Sequence, residues 1–294
     1  RDTDRSRGLG DVYKRQILDH VNYVYGADTP LAVHALNDVC LKIPDGQFIG
    51  IIGHTGSGKS TLMQHMNGLI RATDGHIYFN GEDIYDKDYD MKKLRSKVGL
   101  VFQYPEHQLF EIDVFSDVCF GPKNLGLDKK EVELRAYDAL KKVGLPDELF
   151  YQSPFELSGG QKRRVAIAGV LAMKPEVLIL DEPTSYLDVR HKLEFLSILQ
   201  KLCRERELTV ILSLHELELA EKISDRILCV NGRAVDRIGT PEEVMTAGYI
   251  TELYGIRMGS YDEASSDMEL AAPEGTPQVF CLLYTSPSPR DRSV

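Results

Sequence analysis

Residues 53–60 read GHTGSGKS and fit the pattern G-x-x-x-x-G-K-S/T of a phosphate-binding loop. Glycines let backbone N–H groups curl around a phosphate, and the positive end of the following helix faces the same oxygens. Lys59 would reach the terminal phosphates, while the Ser60 hydroxyl would ligate Mg²⁺. The sequence therefore predicts a nucleoside polyphosphate site made of Gly53, His54, Thr55, Gly56, Ser57, Gly58, Lys59, Ser60 and Thr61.

A pair of carboxylates, Asp181 and Glu182, follows the apolar run at residues 177–180. Because adjacent side chains at a strand end point in different directions, the two can divide the chemistry between them. Asp181 would face Mg²⁺, and Glu182 would act on an attacking water as general base or positioning group. An acidic strand end that faces solvent is the alternative, and the phosphate loop in the same chain argues against it.

Residues 158–161, Ser-Gly-Gly-Gln, predict a second anion site far along the chain from the first. Ser158 is a good N-cap for the helical run that stops before Pro175. Gly159 and Gly160, followed by Gln161, leave amides exposed at the positive end of that helix. An ordinary capped helix has the same pattern, so these residues alone leave both interpretations open.

Four continuous apolar runs form the framework for these residues, at 48–52, 177–180, 209–212 and 227–230. Such runs are typical of strands buried on both faces of a parallel sheet, and ligands of these sheets lie beyond the carboxyl ends of the strands. Three of the four runs end in polar residues suited to phosphate chemistry. The predicted fold class is α/β, a P-loop NTPase core with a mostly parallel sheet.

Residues from about 90 to 175 are less strand-like, and they predict a helical subdomain inserted into the α/β core. Within this stretch, residues 129–143 predict an amphipathic helix. Its candidate core positions are Val132, Leu134, Ala139, Leu140 and Val143.

The charge, the apolar runs and the cysteine spacing of the chain argue against several classes of function. The chain has 294 residues and a formal net charge of -10, which argues against a nucleic-acid partner or direct binding to an anionic membrane. No apolar run approaches the ~20 residues of a membrane span, so a role at a membrane would act through partner chains. The cysteines have no CxxC spacing and indicate free thiols of a reducing cytoplasm; they are Cys40, Cys119, Cys203, Cys229 and Cys281.

The two ends differ from the rest in composition. Residues 1–16 and 281–294 resemble translated sequencing-adapter DNA, and disordered natural tails are the alternative. We expect both ends to lie outside the fold. The predicted organisation is then one nucleotide-binding domain over residues 17–245, followed by a C-terminal extension over residues 246–280.

Taken together, GHTGSGKS, LSGGQ and LILDEP resemble the motifs of ABC-type ATPases over nearly all of residues 17–270. The resemblance implies an antiparallel β region beside the parallel sheet, with ATP and Mg²⁺ as ligands. It also implies that two chains close head-to-tail on two ATP molecules. Ser158 and Gly160 would then contact the γ-phosphate held by the other chain's phosphate loop.

The same resemblance assigns roles to single residues elsewhere in the chain. Gln103 matches the Q-loop glutamine that touches Mg²⁺ and signals to the membrane subunits, and His215 matches the switch histidine that contacts the γ-phosphate. Asp188 matches the aspartate that crosses the dimer interface. Tyr25 would stack on adenine, with Tyr23 as the competing candidate. The implied metal ligands are Ser60, Gln103 and Asp181, and the implied catalytic residues are Glu182, His215 and Gln103.

Two transporter types are suggested by different parts of the chain. Residues 98–111, 120–127 and 155–173 resemble ATPases of energy-coupling factor importers for vitamins, cobalt and nickel. Residues after 184, including SLHELELAEKISD, instead resemble ATPases of iron-chelate or cobalamin importers. A seam near residues 178–186, made by misassembly, is one interpretation, and a natural mosaic or divergent member is the other.

The leading hypothesis is an ATP-hydrolysing subunit that works at the cytoplasmic face of the cell membrane. It would pair with a second ABC ATPase subunit and contact a transmembrane coupling subunit, some of whose helices would enter a groove near Gln103. A non-transport ABC ATPase and a non-hydrolysing regulatory subunit are the lesser alternatives.

Overall fold

The computed structural model describes residues 14–104, 108–185, 187–206 and 208–255. The strands are β1 (Lys14–Tyr25), β2 (Val33–Pro44), β3 (Phe48–Ile52), β4 (Asp74–Phe79), β5 (Glu82–Asp83), β6 (Val98–Val101), β7 (Val177–Leu180), β8 (Thr209–Ser213), β9 (Arg226–Asn231) and β10 (Ala234–Gly239). The helices are α1 (Lys59–Met66), α2 (Met91–Lys97), α3 (Val114–Asn124), α4 (Lys129–Lys142), α5 (Gly159–Ala172), α6 (Val189–Arg206), α7 (Leu217–Ile223), α8 (Pro241–Val244) and α9 (Ala247–Tyr254).

The larger sheet has the strand order β10-β9-β3-β8-β7-β6. Neighbouring strands from β9 to β6 are parallel, and β10 returns antiparallel to β9 through a turn at Gly232 and Arg233, both with positive φ. The four apolar runs form β3, β7, β8 and β9. The predicted α/β class with a mostly parallel sheet is therefore confirmed.

A second, antiparallel sheet has the order β2-β1-β4-β5. Strand β1 pairs with β2 on one side and with β4 on the other. This sheet is the antiparallel region that the family resemblance implied.

The parallel sheet is buried on both faces because its side chains alternate between two apolar clusters. Leu178 and Leu180 of β7 belong to the cluster that includes the helices α3, α4 and α5. Val177 and Ile179 belong to the other cluster, which includes α1 and the antiparallel sheet. This double burial explains why the core strands read as unbroken apolar runs.

The helical region is formed by α3, α4 and α5, each of which begins at a side-chain cap: Asp113, Asp128 and Ser158. The range predicted for it, residues 90–175, also contains β6, which pairs with β7 in the parallel sheet. Of the core positions predicted on α4, Val132, Ala139, Leu140 and Val143 are buried. The prediction for Leu134 is wrong, because its side chain lies on the outer face and is 61% exposed.

The predicted ends also differ from the structure. Strand β1 begins at Lys14. Gln16 is fully buried, and its Nε2 donates to the Met66 carbonyl at 2.6 Å. Gln16 therefore belongs to the fold rather than to the N-terminal flank. The chain divides into units at residues 1–254 and 255–294, and the second is described only at Gly255. In the first, Tyr249 and Leu253 of α9 are buried in the core, although α9 falls within the predicted extension. The flank at residues 281–294 lies outside the described residues.

Among the described residues, Cys40, Cys119, Cys203 and Cys229 are free thiols, as predicted, and Cys281 lies outside them. No helix in this part of the chain has both the length and the apolar character that a membrane crossing requires.

The contrast between Leu140 and Leu134 on α4 gives a matched test of the core. Leu140→Ala should lower the free energy of unfolding by about 2–5 kcal/mol, because a fully buried leucine leaves a cavity. Leu134→Ala should change it by less than about 0.5 kcal/mol. Urea unfolding followed by circular dichroism measures both, and equal losses would contradict this packing of α4.

Candidate functional site

The predicted chemistry collects at one edge of the parallel sheet. Strands β3, β7 and β8 are neighbours in parallel register, so their carboxyl ends meet there. The phosphate loop follows β3, the Asp181–Glu182 pair follows β7, and His215 comes two residues after β8. Residues more than 120 positions apart in sequence are thus brought to the same edge, since Glu182 contacts His215 and its charge, with that of Asp181, acts on Lys59.

The phosphate loop turns directly from β3 into α1. Gly58 caps α1 with φ +103, and a Cβ at this position would lie 2.6 Å from the Ala35 carbonyl oxygen. A side chain would therefore require both a left-handed backbone and a shift of β2, so glycine is required here. The exposed part of the loop includes His54, Thr55 and Ser60, as expected for residues that meet a ligand.

Lys59 lies inside the loop and is only 5% exposed. Its Nζ donates to the carbonyl oxygens of Gly53 at 2.8 Å and His54 at 3.0 Å. Burial lowers the pKa of the Lys59 ammonium, and the negative charges of Glu182 and Asp181 oppose that effect. The ammonium of the loop is therefore electrostatically coupled to the carboxylate pair, as the predicted phosphate chemistry requires.

The carboxylate of Glu182 contacts two other predicted catalytic residues, Gln103 and His215. Gln103 Nε2 donates to Glu182 Oε2 at 2.5 Å, and His215 Nε2 lies 2.7 Å from Glu182 Oε1. The Ser185 hydroxyl also donates to Oε2, at 3.3 Å. The three predicted catalytic residues, Glu182, Gln103 and His215, thus form one hydrogen-bonded group.

Ser213 holds the backbone on which this group depends. Its buried hydroxyl donates to Asp181 Oδ1 at 2.9 Å and accepts from the Glu182 N–H at 2.6 Å. Glu182 has φ +46, a left-handed conformation that costs a non-glycine residue roughly 1–3 kcal/mol unless its surroundings impose it. The contact with Ser213 helps to impose it, and it ties the Asp181 carboxylate to the backbone of Glu182.

The residues predicted to hold Mg²⁺ offer the oxygen donors that this ion prefers. Asp181 is 8% exposed and its Oδ1 is oriented by Ser213, while the Ser60 side chain is exposed at the start of α1. Gln103 presents its amide nitrogen to Glu182, so Oε1 is the atom with which it could ligate a cation. The donor set therefore fits a hard divalent ion bound beside the loop.

The two tyrosines considered for adenine stacking have different environments. Tyr25 is 41% exposed, and its hydroxyl is hydrogen-bonded to Thr61 Oγ1 at 3.2 Å, beside the phosphate loop. Tyr23 is partly buried, with its ring packed edge-on against Tyr25 and against His65. Exposure favours Tyr25 as the stacking residue, and its role stays a prediction.

Residues 158–161 form a capping box at the start of α5. The Gln161 N–H donates to Ser158 Oγ at 3.3 Å, and the Ser158 N–H donates to Gln161 Oε1 at 2.8 Å. Residues 158–161 therefore cap a helix, which was the alternative to an anion site in the sequence analysis. The cap does not exclude anion binding, because the first-turn amides of Gly159 and Gly160 are not used by it.

The start of α5 lines its own cleft of about 750 Å³, away from the phosphate loop. Among the described residues that line it are Ser158, Gly160, Ser185 and Asp188, and none belongs to residues 53–60. Asp188 accepts from the His191 N–H and ring, and the hydrogen bond to that N–H is the main reason why the pKa of Asp188 is lowered. Within one chain, then, the two predicted anion sites are separate.

Three residues of the site were not predicted from the sequence: Ser213, Ser185 and Arg163. Arg163 is buried on α5 and donates through Nη1 to the Ser185 carbonyl at 2.8 Å. The available signal for Ser213 was a hydroxyl residue within the apolar stretch 209–214. Arg163 gave no such signal, because a basic residue after a helix start usually faces solvent.

A family model described as ABC transporter matches residues 36–185. The energy-coupling factor transporter ATP-binding protein EcfA2 of Caldanaerobacter subterraneus subsp. tengcongensis is 50% identical over 265 residues, which is 90% of this chain and 93% of that protein.

Two solved structures have the same fold. One is cbiO1 from Clostridium perfringens, part of the ABC transporter complex cbiONQ, with 36% identity, a TM-score of 0.71, and coverage of 81% of this chain and 93% of that one. The other is the dimer of the ATP-binding cassette MJ0796 in a post-hydrolysis state with ADP and Pi, with 30% identity, a TM-score of 0.70, and coverage of 77% and 98%.

Ser213→Ala removes the bridge between the two carboxylate residues. The rate of ATP hydrolysis should fall roughly tenfold, which corresponds to about 1.4 kcal/mol and to the loss of one or two hydrogen bonds. The affinity for ATP measured without Mg²⁺ should stay unchanged, because the hydroxyl contacts Asp181 and Glu182 rather than the loop. Phosphate release and nucleotide titration measure the two quantities.

Ser224→Ala is the matched control, since the buried Ser224 hydroxyl has no hydrogen-bond partner among the described residues. It should leave hydrolysis unchanged. Equal rates in the two variants would show that the Ser213 bridge does not position the carboxylates.

Proposed function

This chain belongs to the ABC transporter family, in the branch of energy-coupling factor ATP-binding proteins, and from that premise we propose that it hydrolyses ATP to ADP and phosphate to energise an importer. The observation that carries the proposal is the convergence of Gln103, Ser185 and His215 on Glu182, beside Lys59 and Asp181. A carboxylate held in this way suits a group that orients or deprotonates an attacking water.

The chain's own residues supply the remaining parts of phosphoryl transfer. The amides of the loop and Lys59 bind the phosphates, Tyr25 supports the adenine, and His215 contacts the γ-phosphate. Ser60, Asp181 and Gln103 would hold Mg²⁺, which would supply positive charge to offset that of the phosphates. Glu182 positions the water, and Ser213 holds the backbone N–H of Glu182.

A second copy of the nucleotide-binding fold completes the site in this proposal. Gly159 and Gly160 have ordinary helical backbones, and a Cβ at Gly160 would meet only Leu187, at 3.7 Å. The fold of one chain therefore does not require glycine at either position. Close approach of a partner's bound nucleotide to the amides at the start of α5 does require it, since side chains would stand between them.

The partner chain is a second ABC ATPase subunit, either identical or related. In that pair Asp188, at the rim of the α5 cleft, would lie at the interface. The solved cassette MJ0796 is described as a dimer bound to ADP and Pi, which supports this arrangement.

The membrane subunit would contact a groove of about 520 Å³ between α2, α3 and α5. Phe110 and Phe120 pack edge-on in it with 58% and 40% of their surfaces exposed, and Lys92 and Arg95 lie at its rim. An amphipathic helix of a transmembrane coupling subunit fits such a surface. This contact would keep the chain at the cytoplasmic face of the membrane.

The groove is linked to the proposed catalytic residues through the Gln108 side chain, which accepts a hydrogen bond from the Phe102 N–H next to Gln103.

Relatives in the energy-coupling factor branch match far beyond the region of the predicted seam. The alignment with the Caldanaerobacter protein covers 90% of this chain and so crosses residues 178–186. This coverage favours an energy-coupling factor importer over an iron-chelate importer. The seam stays a prediction, which one unbroken DNA read across those residues decides.

Glu182→Gln tests the catalytic assignment. Turnover should fall by roughly 10² or more, because an amide cannot accept a proton from water. ATP-dependent dimerisation should persist, since the phosphate loop and α5 are unchanged. Phosphate release and analytical ultracentrifugation with Mg²⁺ and ATP measure the two outcomes, and near-normal turnover would remove Glu182 from its role.

Gly160→Ala tests the contribution of α5 to a composite site. The urea midpoint should not fall, because alanine is the better helix former and the Cβ has room. ATP-dependent association with the second subunit should weaken strongly, while ATP binding to each separate chain should not change. A variant that associates and hydrolyses normally would contradict the proposed interface.

A further inference from the structure

A second cluster of metal-ligand residues lies on the antiparallel sheet, apart from the nucleotide site. Leu18 of β1 pairs with Leu41 of β2, and Val21 pairs with Val39. Asp19 and His20 therefore stand opposite the single residue Cys40, which makes this a β-bulge. His20 has φ +51, so the bulge turns its side chain away from the regular strand positions.

The side chains at this bulge offer three different donor types to one point. One ligand atom from each of Asp19, His20 and Cys40 lies within 4.8 Å of the others, and all three residues are exposed. His20 Nε2 is 3.9 Å from Asp19 Oδ1. Ligands of a tetrahedral zinc ion stand roughly 3.4 Å apart, given bonds of about 2.0–2.2 Å, so a small side-chain movement closes the site.

Asp38 orients the histidine. Its Oδ1 lies 2.6 Å from His20 Nδ1, which leaves Nε2 directed to the side of Asp19. Asn22 fixes both partners, because it accepts from the Asp38 N–H at 2.8 Å and donates to the His20 carbonyl at 2.9 Å. A carboxylate hydrogen-bonded to the far nitrogen of a histidine is the usual outer-shell arrangement around a histidine that binds a metal.

We propose that Asp19, His20 and Cys40 bind a divalent metal ion of the zinc class, with water in the fourth position and Asp38 as the orienting group. A thiolate and an imidazole select such an ion over Mg²⁺, which prefers oxygen donors. The bound metal ties β1 to β2 across the bulge and stabilises the antiparallel sheet. This site shares no residue with the proposed nucleotide site.

Cys40 is the described cysteine suited to this role. Cys119, Cys203 and Cys229 are buried, and burial raises the pKa of the thiols of Cys203 and Cys229 to about 11. The Cys40 thiol is exposed, so an ion can reach it from solvent.

Cobalt titration tests the proposal, because Co²⁺ replaces Zn²⁺ and reports a sulfur ligand by a near-ultraviolet charge-transfer band. The purified chain is stripped of metal, kept free of nucleotide, and titrated with Co²⁺ and then with Zn²⁺. One equivalent of Co²⁺ should develop the band, and one equivalent of Zn²⁺ should abolish it. Zinc should also raise the thermal unfolding midpoint of the chain.

Three variants and one control assign the ligands. Cys40→Ser should remove the band, and so should His20→Asn, in which asparagine tolerates the positive φ. Asp38→Asn keeps all three ligands and should weaken affinity by roughly 10–100-fold through the lost orienting contact. His34→Asn alters an exposed histidine elsewhere on β2 and should change nothing. Circular dichroism confirms that each variant is folded.

Absence of the band in the unaltered chain would overturn the proposal, as would a band that persists in folded Cys40→Ser. An unchanged affinity in Asp38→Asn would remove the orienting role of Asp38. None of these outcomes bears on ATP hydrolysis, so the two proposals stand or fall separately.

Discussion

The geometry of the site depends on the hydrogen bonds of one side chain, the carboxylate of Glu182. Gln103, Ser185 and His215 come from three separate loops, and each contacts this carboxylate directly. The backbone beneath it is left-handed, and the hydroxyl of Ser213 receives its N–H. The carboxylate can hold one orientation only while all these loops keep their positions, and those positions are set by neighbouring parallel strands.

The two predicted anion sites lie in different places in the chain, and their separation bears on how a nucleotide could bind. The phosphate loop and the start of α5 both present amides at a helix N-terminus, but the second lines a cleft that contains none of the loop residues. A single chain therefore presents two separate amide-rich helix starts at different places in its fold. In the pair of chains that we propose, each nucleotide would meet the phosphate loop of one chain and the start of α5 of the other.

Sequence reasoning worked well where one local rule fixed the outcome. The unbroken apolar runs identified β3, β7, β8 and β9 because burial on both faces leaves no polar positions. It failed at Leu134, since the presence of a leucine on an amphipathic helix does not show whether that leucine faces the core, and Leu134 is exposed. Gln16 was excluded from the fold because a polar residue near a charged end gives no sign of the carbonyl that it contacts.

Ser213 and Arg163 are two residues of the site that the sequence did not predict. Both act through partners that are distant in sequence, and neither belongs to a spaced motif, so their roles appear only when the strands and α5 are placed. By contrast, the loop at residues 53–60 carries its chemistry within eight neighbouring positions. Contacts that are local in sequence can be predicted, and those that depend on the packing of separate elements require the structure.

The hydrogen bond from Arg163 to the Ser185 carbonyl has a mechanical consequence. Arg163 lies five residues after Ser158, the N-cap of α5, and the Ser185 hydroxyl donates to Glu182. A rigid rotation of α5 would therefore pull on the carboxylate across only two intervening contacts. In the proposed pair, the amides at the start of α5 that would meet the neighbouring molecule's nucleotide are thus mechanically linked to the Glu182 carboxylate of their own chain.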